Sequence, residues 1–536
     1  MARPLKWPLA AVAAVYVCAT RAAGPCMPSV RWIPHSIVLA AALMAASLAH
    51  ADDAPLAPFE SAPCDFNGVA PEWAVQNRID CGWLRVPESR DKPASRTLKL
   101  WVAIARAPSS TKRADPILYL HGGPGFATVD YVFPYFPKSK TWPRFREQRD
   151  IVFLDARGSG RSESAFCPDL GATLESIDAE RLASDEALTR HLAALRACRT
   201  TLLAEGLDFG AYHSRAIVED AEALRRALGV SQWNLYAISY GTRVGLEYLR
   251  QHPASVRSAI LDSVFPPNST YGAEQIASTA KAYEALQRSC NADRACRKRF
   301  PDVLARLAIA TRRLDAVPLS LDGRPITGGA FLEALWAMLI TSEAAPWVPL
   351  AVDRAAKGDS TAIRRIVETF GGPSSFGSYN HGQAMTISCH EIQTGRTADT
   401  VIALTLRHPQ LVPRDAIADA TDQQCAVWQT EHAPMSTYAP VSSTVPVLLY
   451  GGEFDPATPF EDALLAARHL PNSTPVFVEG ASHGAFYTDE CTRGIAHAFL
   501  ADPSARVDTA CLENRAPTRI PTRGLSGFLD SMAANE

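Results

Sequence analysis

The chain has 536 residues, 47% of them hydrophobic and 20% charged, and a formal net charge of −3. That is long for one compact domain but within reach of an α/β fold carrying a large insertion, and its apolar content is ordinary for a globular protein. The near-neutral charge provides no electrostatic footprint for nucleic acid, and the one dense basic cluster, Arg294 to Arg299, reads as a solvated helix face.

Two apolar runs open the chain, near Leu9–Ala19 and Ile37–Leu48, each short for a membrane span. The second follows Arg31 and ends in Ala49-His50-Ala51, a small-x-small cleavage pattern before Asp52. Residues 1–51 are therefore expected to be an export signal, with Met27 as a possible true start and an uncleaved anchor as the alternative. Ten cysteines follow Ala51, an even number, with no Cys-x-x-Cys among them. Connectivity does not follow from spacing. Local pairing is the simplest arrangement, and Cys64–Cys81, Cys167–Cys198, Cys290–Cys296, Cys389–Cys425 and Cys491–Cys511 are expected. An oxidising periplasmic or extracellular location fits that usage.

Residues 52–80 read as irregular. Cys81-Gly-Trp-Leu-Arg-Val-Pro and Thr97–Ala105 then read as a strand pair. Pro116–Leu120 is a short buried-strand pattern running into His121-Gly-Gly-Pro-Gly125, an open loop with exposed amides. Asp150–Asp155 is another buried strand, followed by a glycine turn that Asp155 and Arg157 could tie down with charge-assisted hydrogen bonds. Helical spacing covers 180–205 and 215–228, with Gly229 as a helix end. Trp233–Ile238 is the next strand, and Val256–Val264 the one after it. Strands alternating with helices imply a largely parallel sheet, with ligands at the carboxyl ends of its strands.

From 268 to 441 helical patterns dominate and clear strands are missing, which reads as a helical cap inserted into a core of 52–267 and 442–536. Val445–Tyr450 and Thr474–Val478 restore the sheet pattern, and a helix near 491–500 and a loop-rich tail close the chain.

Asn234-Leu-Tyr-Ala-Ile-Ser239-Tyr-Gly-Thr-Arg reads as strand, sharp turn and helix, with small residues Ala237 and Gly241 two places either side of Ser239. A serine on such a turn is lifted clear of the sheet. Asp455 and His483 sit at two later strand ends, completing the order Ser, Asp, His. A serine hydroxyl needs an imidazole to take its proton, and the imidazole needs a carboxylate to hold its tautomer. Asp262 is the main rival acid, but it lacks the glycine-rich setting of Asp455. His121 reads as shaping its loop, and His390 lies in the insertion. The oxyanion hole would use the N–H of Tyr240 and one from Gly122 or Gly123.

Together His121-Gly-Gly-Pro-Gly, Asp155-x-Arg-Gly-x-Gly-x-Ser162, Ile238-Ser-Tyr-Gly-Thr and Gly480-Ala-Ser-His resemble the proline iminopeptidase/tripeptidyl aminopeptidase branch of the α/β hydrolases. Residues 389–511 resemble the TAP-like C-terminal region of its secreted bacterial members. The resemblance runs over nearly the whole mature chain, although Ala237 stands where the branch usually has glycine. It implies the α/β-hydrolase fold with a helical cap, a Ser239–Asp455–His483 triad, and cleavage of short residues or peptides from free N-termini. No metal or organic cofactor is implied, and the partners are short peptides or small amides and esters. An exopeptidase needs a carboxylate for the substrate ammonium. Glu391, two residues after Cys389 and held rigid by a Cys389–Cys425 bridge, is the candidate. A small-molecule esterase or amidase is the alternative function, and a catalytically inactive binding protein the distant one.

Overall fold

A computed structural model of the chain describes residues 59–534, apart from 67, 137–138, 140, 164–165, 181–183, 270, 372–378, 394–397 and 412–419. The expected export segment lies outside the described residues. No helix among the described residues is long and apolar enough to cross a membrane.

The strands are β1 (Glu60–Ala62), β2 (Ile79–Pro87), β3 (Thr97–Ala105), β4 (Ile117–Leu120), β5 (Ile151–Leu154), β6 (Trp233–Ile238), β7 (Val256–Asp262), β8 (Leu319–Leu321), β9 (Arg324–Ile326), β10 (Val447–Gly452) and β11 (Ser473–Val478). Nine of them form one sheet in the order β1-β2-β3-β5-β4-β6-β7-β10-β11. The first three pair antiparallel, as does β3 with β5, and every pair from β5 to β11 is parallel. This is the α/β-hydrolase fold, a mostly parallel central sheet flanked by helices.

The parallel strands are apolar on both faces because helices cover both. Ile117–Leu120 and Ile151–Leu154 are buried at every position. One side packs Leu118, Val152, Leu235 and Leu261 against Ile217, Ala221 and Leu224 of helix Ser214–Ala227 and Val244 of helix Tyr240–Gln251. The other packs Tyr119, Phe153, Tyr236 and Tyr450 against Phe133, Trp142, Phe486 and Phe499. The loops at His121, Asp155, Ser239, Asp262, Asp455 and His483 thereby gather at one edge of the sheet, where α/β folds bind ligands.

Between β7 and β10 the described residues are mainly helical. Asp302, Thr327, Asp359 and Asn380 each accept a hydrogen bond from the backbone N–H three residues on, starting four of these helices. Leu286, Leu307, Phe331, Met338 and Ile366 form their common core.

Three segments differ from the sequence reading. The stretch expected to be irregular contains β1 and a helix, Pro71–Gln76, both too short to show a period. The helical section contains a hairpin, β8–β9, turned at Asp322-Gly323 with φ of 47° and 83°. That dipeptide is a hairpin signal because both residues accept positive φ, and the three-residue flanks hid it. The tail forms helix Leu525–Ala533, with Leu525 and Leu529 buried in the helical core and Phe528 stacked on Trp347 at 4.6 Å.

The ten described cysteines form the bridges Cys64–Cys81, Cys167–Cys198, Cys290–Cys296, Cys389–Cys425 and Cys491–Cys511. Cys389–Cys425 fastens helix Ala420–Trp428 beside residues 388–392. Trp428 lies fully buried there, donating its indole N–H to the Thr386 hydroxyl at 2.8 Å. Replacing Cys389 and Cys425 with alanine is expected to lower unfolding free energy by about 2–4 kcal/mol, the usual worth of a bridge closing such a loop. Urea denaturation at constant m-value checks it.

Candidate active site

Strand β6 is buried up to Ala237, and the chain then turns sharply at Ser239, with φ 57° and ψ −130°. Positive φ in a non-glycine residue is strained, and such strain collects at functional sites. The turn leaves Ser239 partly exposed between a buried strand and a buried helix. Its N–H is held by the Asp262 carbonyl at 2.9 Å, so β7 anchors the turn.

The two small flanking residues are under different constraints. A Cβ at Gly241 would lie 2.2 Å from the Leu120 carbonyl oxygen, so no side chain fits there. Ala237 sits in regular register opposite Leu120 and Leu261, and its methyl packs into the core. An alanine at that position is therefore compatible with the turn.

Asp455 follows β10 and is 2% exposed. Its Oδ1 accepts from the N–H of Ala457 and of Thr458, and its Oδ2 from the Thr458 hydroxyl and His483 Nδ1, all at 2.9–3.0 Å. Burial opposes its ionisation, but His483 and the Thr458 and Ala457 amides hold it below the usual carboxylate range. His483 follows β11. Burial alone would lower its basicity, but the charge and hydrogen bond of Asp455, with a contribution from Asp262, raise it above the ordinary imidazole value. The Thr458 hydroxyl also touches His483 Nδ1 at 3.2 Å, a contact with no sequence signal.

The glycine loop after β4 closes over the serine. A Cβ at Gly122 would lie 2.8 Å from Ser239 Cβ and 3.3 Å from its Oγ, so this backbone passes directly beside the hydroxyl. Tyr240 opens helix Tyr240–Gln251, where the backbone N–H groups lack helical acceptors. Gly123 has φ of 113° in the same loop. His121 bonds the Tyr119 hydroxyl through Nδ1 at 2.7 Å, and burial pushes it down to about 3, so it is neutral at ordinary pH.

The helical section reaches this loop. Asn380 N–H donates to the Gly125 carbonyl at 2.7 Å, and the Gln383 side chain donates to the Arg157 carbonyl at 2.7 Å. Neither residue had a sequence signal, because each contact joins segments more than 200 residues apart.

Asp155 and Arg157 both tie down the turn after β5, each through its own partners. Asp155 accepts from the N–H of Val129 and Arg161, while the buried Arg157 pairs with both oxygens of Asp220 at 2.7 Å and donates to the Ala211 carbonyl. Glu391 is 2% exposed, and its Oε1 accepts from the backbone and hydroxyl of Ser214 and, at 3.5 Å, from the Tyr240 hydroxyl. It also borders a cavity of about 680 Å³ shared with His213, His390 and Arg243.

A partly exposed serine on a strained turn, a carboxylate–imidazole pair and a glycine loop at one edge of a parallel sheet agree with what the chain matches. Residues 115–288 match the family model of the α/β hydrolase fold, and residues 414–511 that of the TAP-like protein. The chain is an α/β hydrolase with a TAP-like C-terminal domain, distantly homologous to tripeptidyl aminopeptidases, the serine protease Hip1 and proline iminopeptidases. It is 25% identical over 483 residues to serine protease Hip1 of Mycobacterium tuberculosis, across 83% of this chain and 88% of that protein. It is 27% identical over 207 residues to a tripeptidyl aminopeptidase of Streptomyces coelicolor, spanning 38% of this chain and only 38% of that protein. A putative proline iminopeptidase of Mycoplasma genitalium is 26% identical over 150 residues, 28% of this chain and 33% of that protein.

The steric asymmetry around Ser239 is testable. Gly241→Ala is expected to lose roughly 2 kcal/mol or more of stability, since the methyl overlaps main chain that cannot swing aside. Ala237→Gly should cost about 1 kcal/mol, the ordinary penalty of glycine in a strand. Parallel urea curves check both.

Proposed function

We propose that the protein is an exported serine exopeptidase that releases short residues or di- and tripeptides from free N-termini, with Ser239, His483 and Asp455 as its triad. The observation that carries this reading is the 2.9 Å bond between His483 Nδ1 and an Asp455 carboxylate that is fully supplied with donors, at the edge where Ser239 is partly exposed. A carboxylate on Nδ1 leaves Nε2 as the base. In the proposed reaction Ser239 Oγ attacks the peptide carbonyl carbon while its proton passes to His483. The Tyr240 N–H and that of Gly122 or Gly123 receive the developing oxyanion. The C–N bond breaks as His483 returns the proton to the leaving amine. Water then repeats the sequence on the acyl-enzyme, freeing the N-terminal fragment and Ser239.

Support for an exopeptidase comes from the relatives named as tripeptidyl aminopeptidase and proline iminopeptidase. Five disulfides support an oxidising, extracytoplasmic location. The helices between 268 and 441 are the proposed cap. Glu391 is the proposed holder of the substrate ammonium, with the Tyr240 hydroxyl linking it to the residue beside the nucleophile.

The decisive assay compares a short peptide amide series, free and N-acetylated, with Ser239→Ala as blank. Cleavage of the free form alone is expected; equal cleavage of both, or cleavage of simple esters only, would make the protein a general amidase or esterase. His483 must be neutral to accept a proton, and its raised basicity sets the acid limb of kcat/KM above the ordinary imidazole range. Asp455→Asn should move that limb to lower pH and reduce kcat about 10⁴-fold. Glu391→Gln should raise KM for free-amine substrates. An unchanged KM with lower thermal stability would confine Glu391 to holding Ser214 and Tyr240.

A further inference from the structure

We propose that Asp262 is a second carboxylate serving His483, a positioning residue that holds the imidazolium from β7 independently of Asp455. This rests on the hydrolytic reading of Ser239 and His483, and it assigns Asp262 a role beside Asp455 rather than in its place.

Asp262 is the last residue of β7 and is fully buried. Its backbone carbonyl holds the Ser239 N–H, so its position is locked to the nucleophile turn. Its side chain lies under the His483 loop. The Phe486 N–H approaches both carboxylate oxygens at 3.3 and 3.4 Å, and a Cβ on Gly484 would stand 4.0 Å from Oδ2. The neighbouring Ser263 hydroxyl accepts the Gly484 N–H at 2.8 Å, fastening the residue after His483 to the end of β7. The Tyr236 hydroxyl donates at 3.4 Å.

These bonds are long, and no arginine or lysine pairs with Asp262 among the described residues. The titratable groups acting on it or sensing its charge are His483, Asp455, Tyr236, Tyr487, Tyr119 and Tyr450. His483 is the cation-forming member of that set. A carboxyl buried with so little support favours its neutral form, and burial pushes Asp262 up to about 7. When His483 becomes positive, its new charge acts on Asp262 across this loop and stabilises the carboxylate. The two acids around one imidazole are thus differentiated: Asp455 is charged throughout, and Asp262 gains charge in the range where His483 must work.

Labelling by a fluorophosphonate tests this without a known substrate. Ser239 Oγ bonds to phosphorus, fluoride leaves, and the hydroxyl proton passes to His483, so the second-order labelling rate follows the state of His483. Removing a carboxylate lowers imidazole basicity. Asp262→Asn should therefore shift the acid limb of the labelling rate down by about 1 pH unit. Asp455→Asn should retain a labelling rate at least ~10-fold above the Asp455→Asn/Asp262→Asn double variant, because Asp262 still holds the ring. Circular dichroism establishes that each isosteric variant is folded. An acid limb in Asp262→Asn that superimposes on the wild type overturns the proposal, as do equal rates in the single Asp455 and double variants. A wild type that labels nowhere overturns the hydrolytic reading, and this inference with it.

Discussion

The turn at Ser239 is the constraint on which the site depends. A non-glycine residue at φ 57° and ψ −130° carries strain of order 1–3 kcal/mol, and it persists only where its surroundings leave no alternative. Here β6 is held in parallel register on both sides, by β4 and β7. The Asp262 carbonyl takes the Ser239 amide, and Gly241 brings the following helix against the Leu120 carbonyl. Each of these contacts would have to break for the turn to relax, and together they order the far ends of three strands around one hydroxyl.

The loops that complete the site are fixed by buried polar contacts. Arg157, 1% exposed, joins the turn after β5 to Asp220 on helix Ser214–Ala227 and to the carbonyls of Ala211 and Pro87. Such a pair is weak evidence for net stability, but losing one partner leaves a buried charge. Its effect is directional, because the planar guanidinium admits one arrangement of its acceptors. The helical section uses the same device through Asn380 on Gly125 and Gln383 on the Arg157 carbonyl. At Gly125 a Cβ would stand 2.8 Å from the Asn380 carbonyl oxygen, so the glycine loop is shaped by the segment that crosses it as well as by the serine it borders.

The sheet was legible in the sequence because its central strands are continuous apolar runs ending in glycine and aspartate loops. The helical section was legible from the loss of that rhythm. What escaped is short or non-local. β1 and the β8–β9 hairpin have three-residue strands, below the length at which alternation is visible. Helix Leu525–Ala533 follows a proline- and arginine-bearing stretch that reads as loop, and the core that receives Leu529 lies far away in sequence. At the site, residue types at strand ends named Ser239, Asp455 and His483. Thr458 on Asp455 and the tie from Gln383 to Arg157 depend on distances that spacing does not encode.

The aspartates show why position alone could not separate their roles. Asp155, Asp262 and Asp455 lie at or just beyond the ends of parallel strands, and all are nearly or fully buried. What distinguishes them is the supply of hydrogen. Asp455 receives four short bonds, one of them from an imidazole, and its charge is stable in the fold. Asp155 receives two backbone N–H groups, and burial still pushes it up to about 7. Asp262 receives contacts of 3.3–3.4 Å and ends at a similar value, yet of these two acids it is the one bonded to the loop that follows His483. Desolvation is a cost common to all three, and local donors decide how much of it is offset. A buried carboxylate near an imidazole therefore becomes a permanent charge or a conditional one according to the amides and hydroxyls the backbone happens to aim at it. In this fold the turn after β10 aims three donors at Asp455 and His483 adds the fourth, while the end of β7 leaves Asp262 to its neighbours.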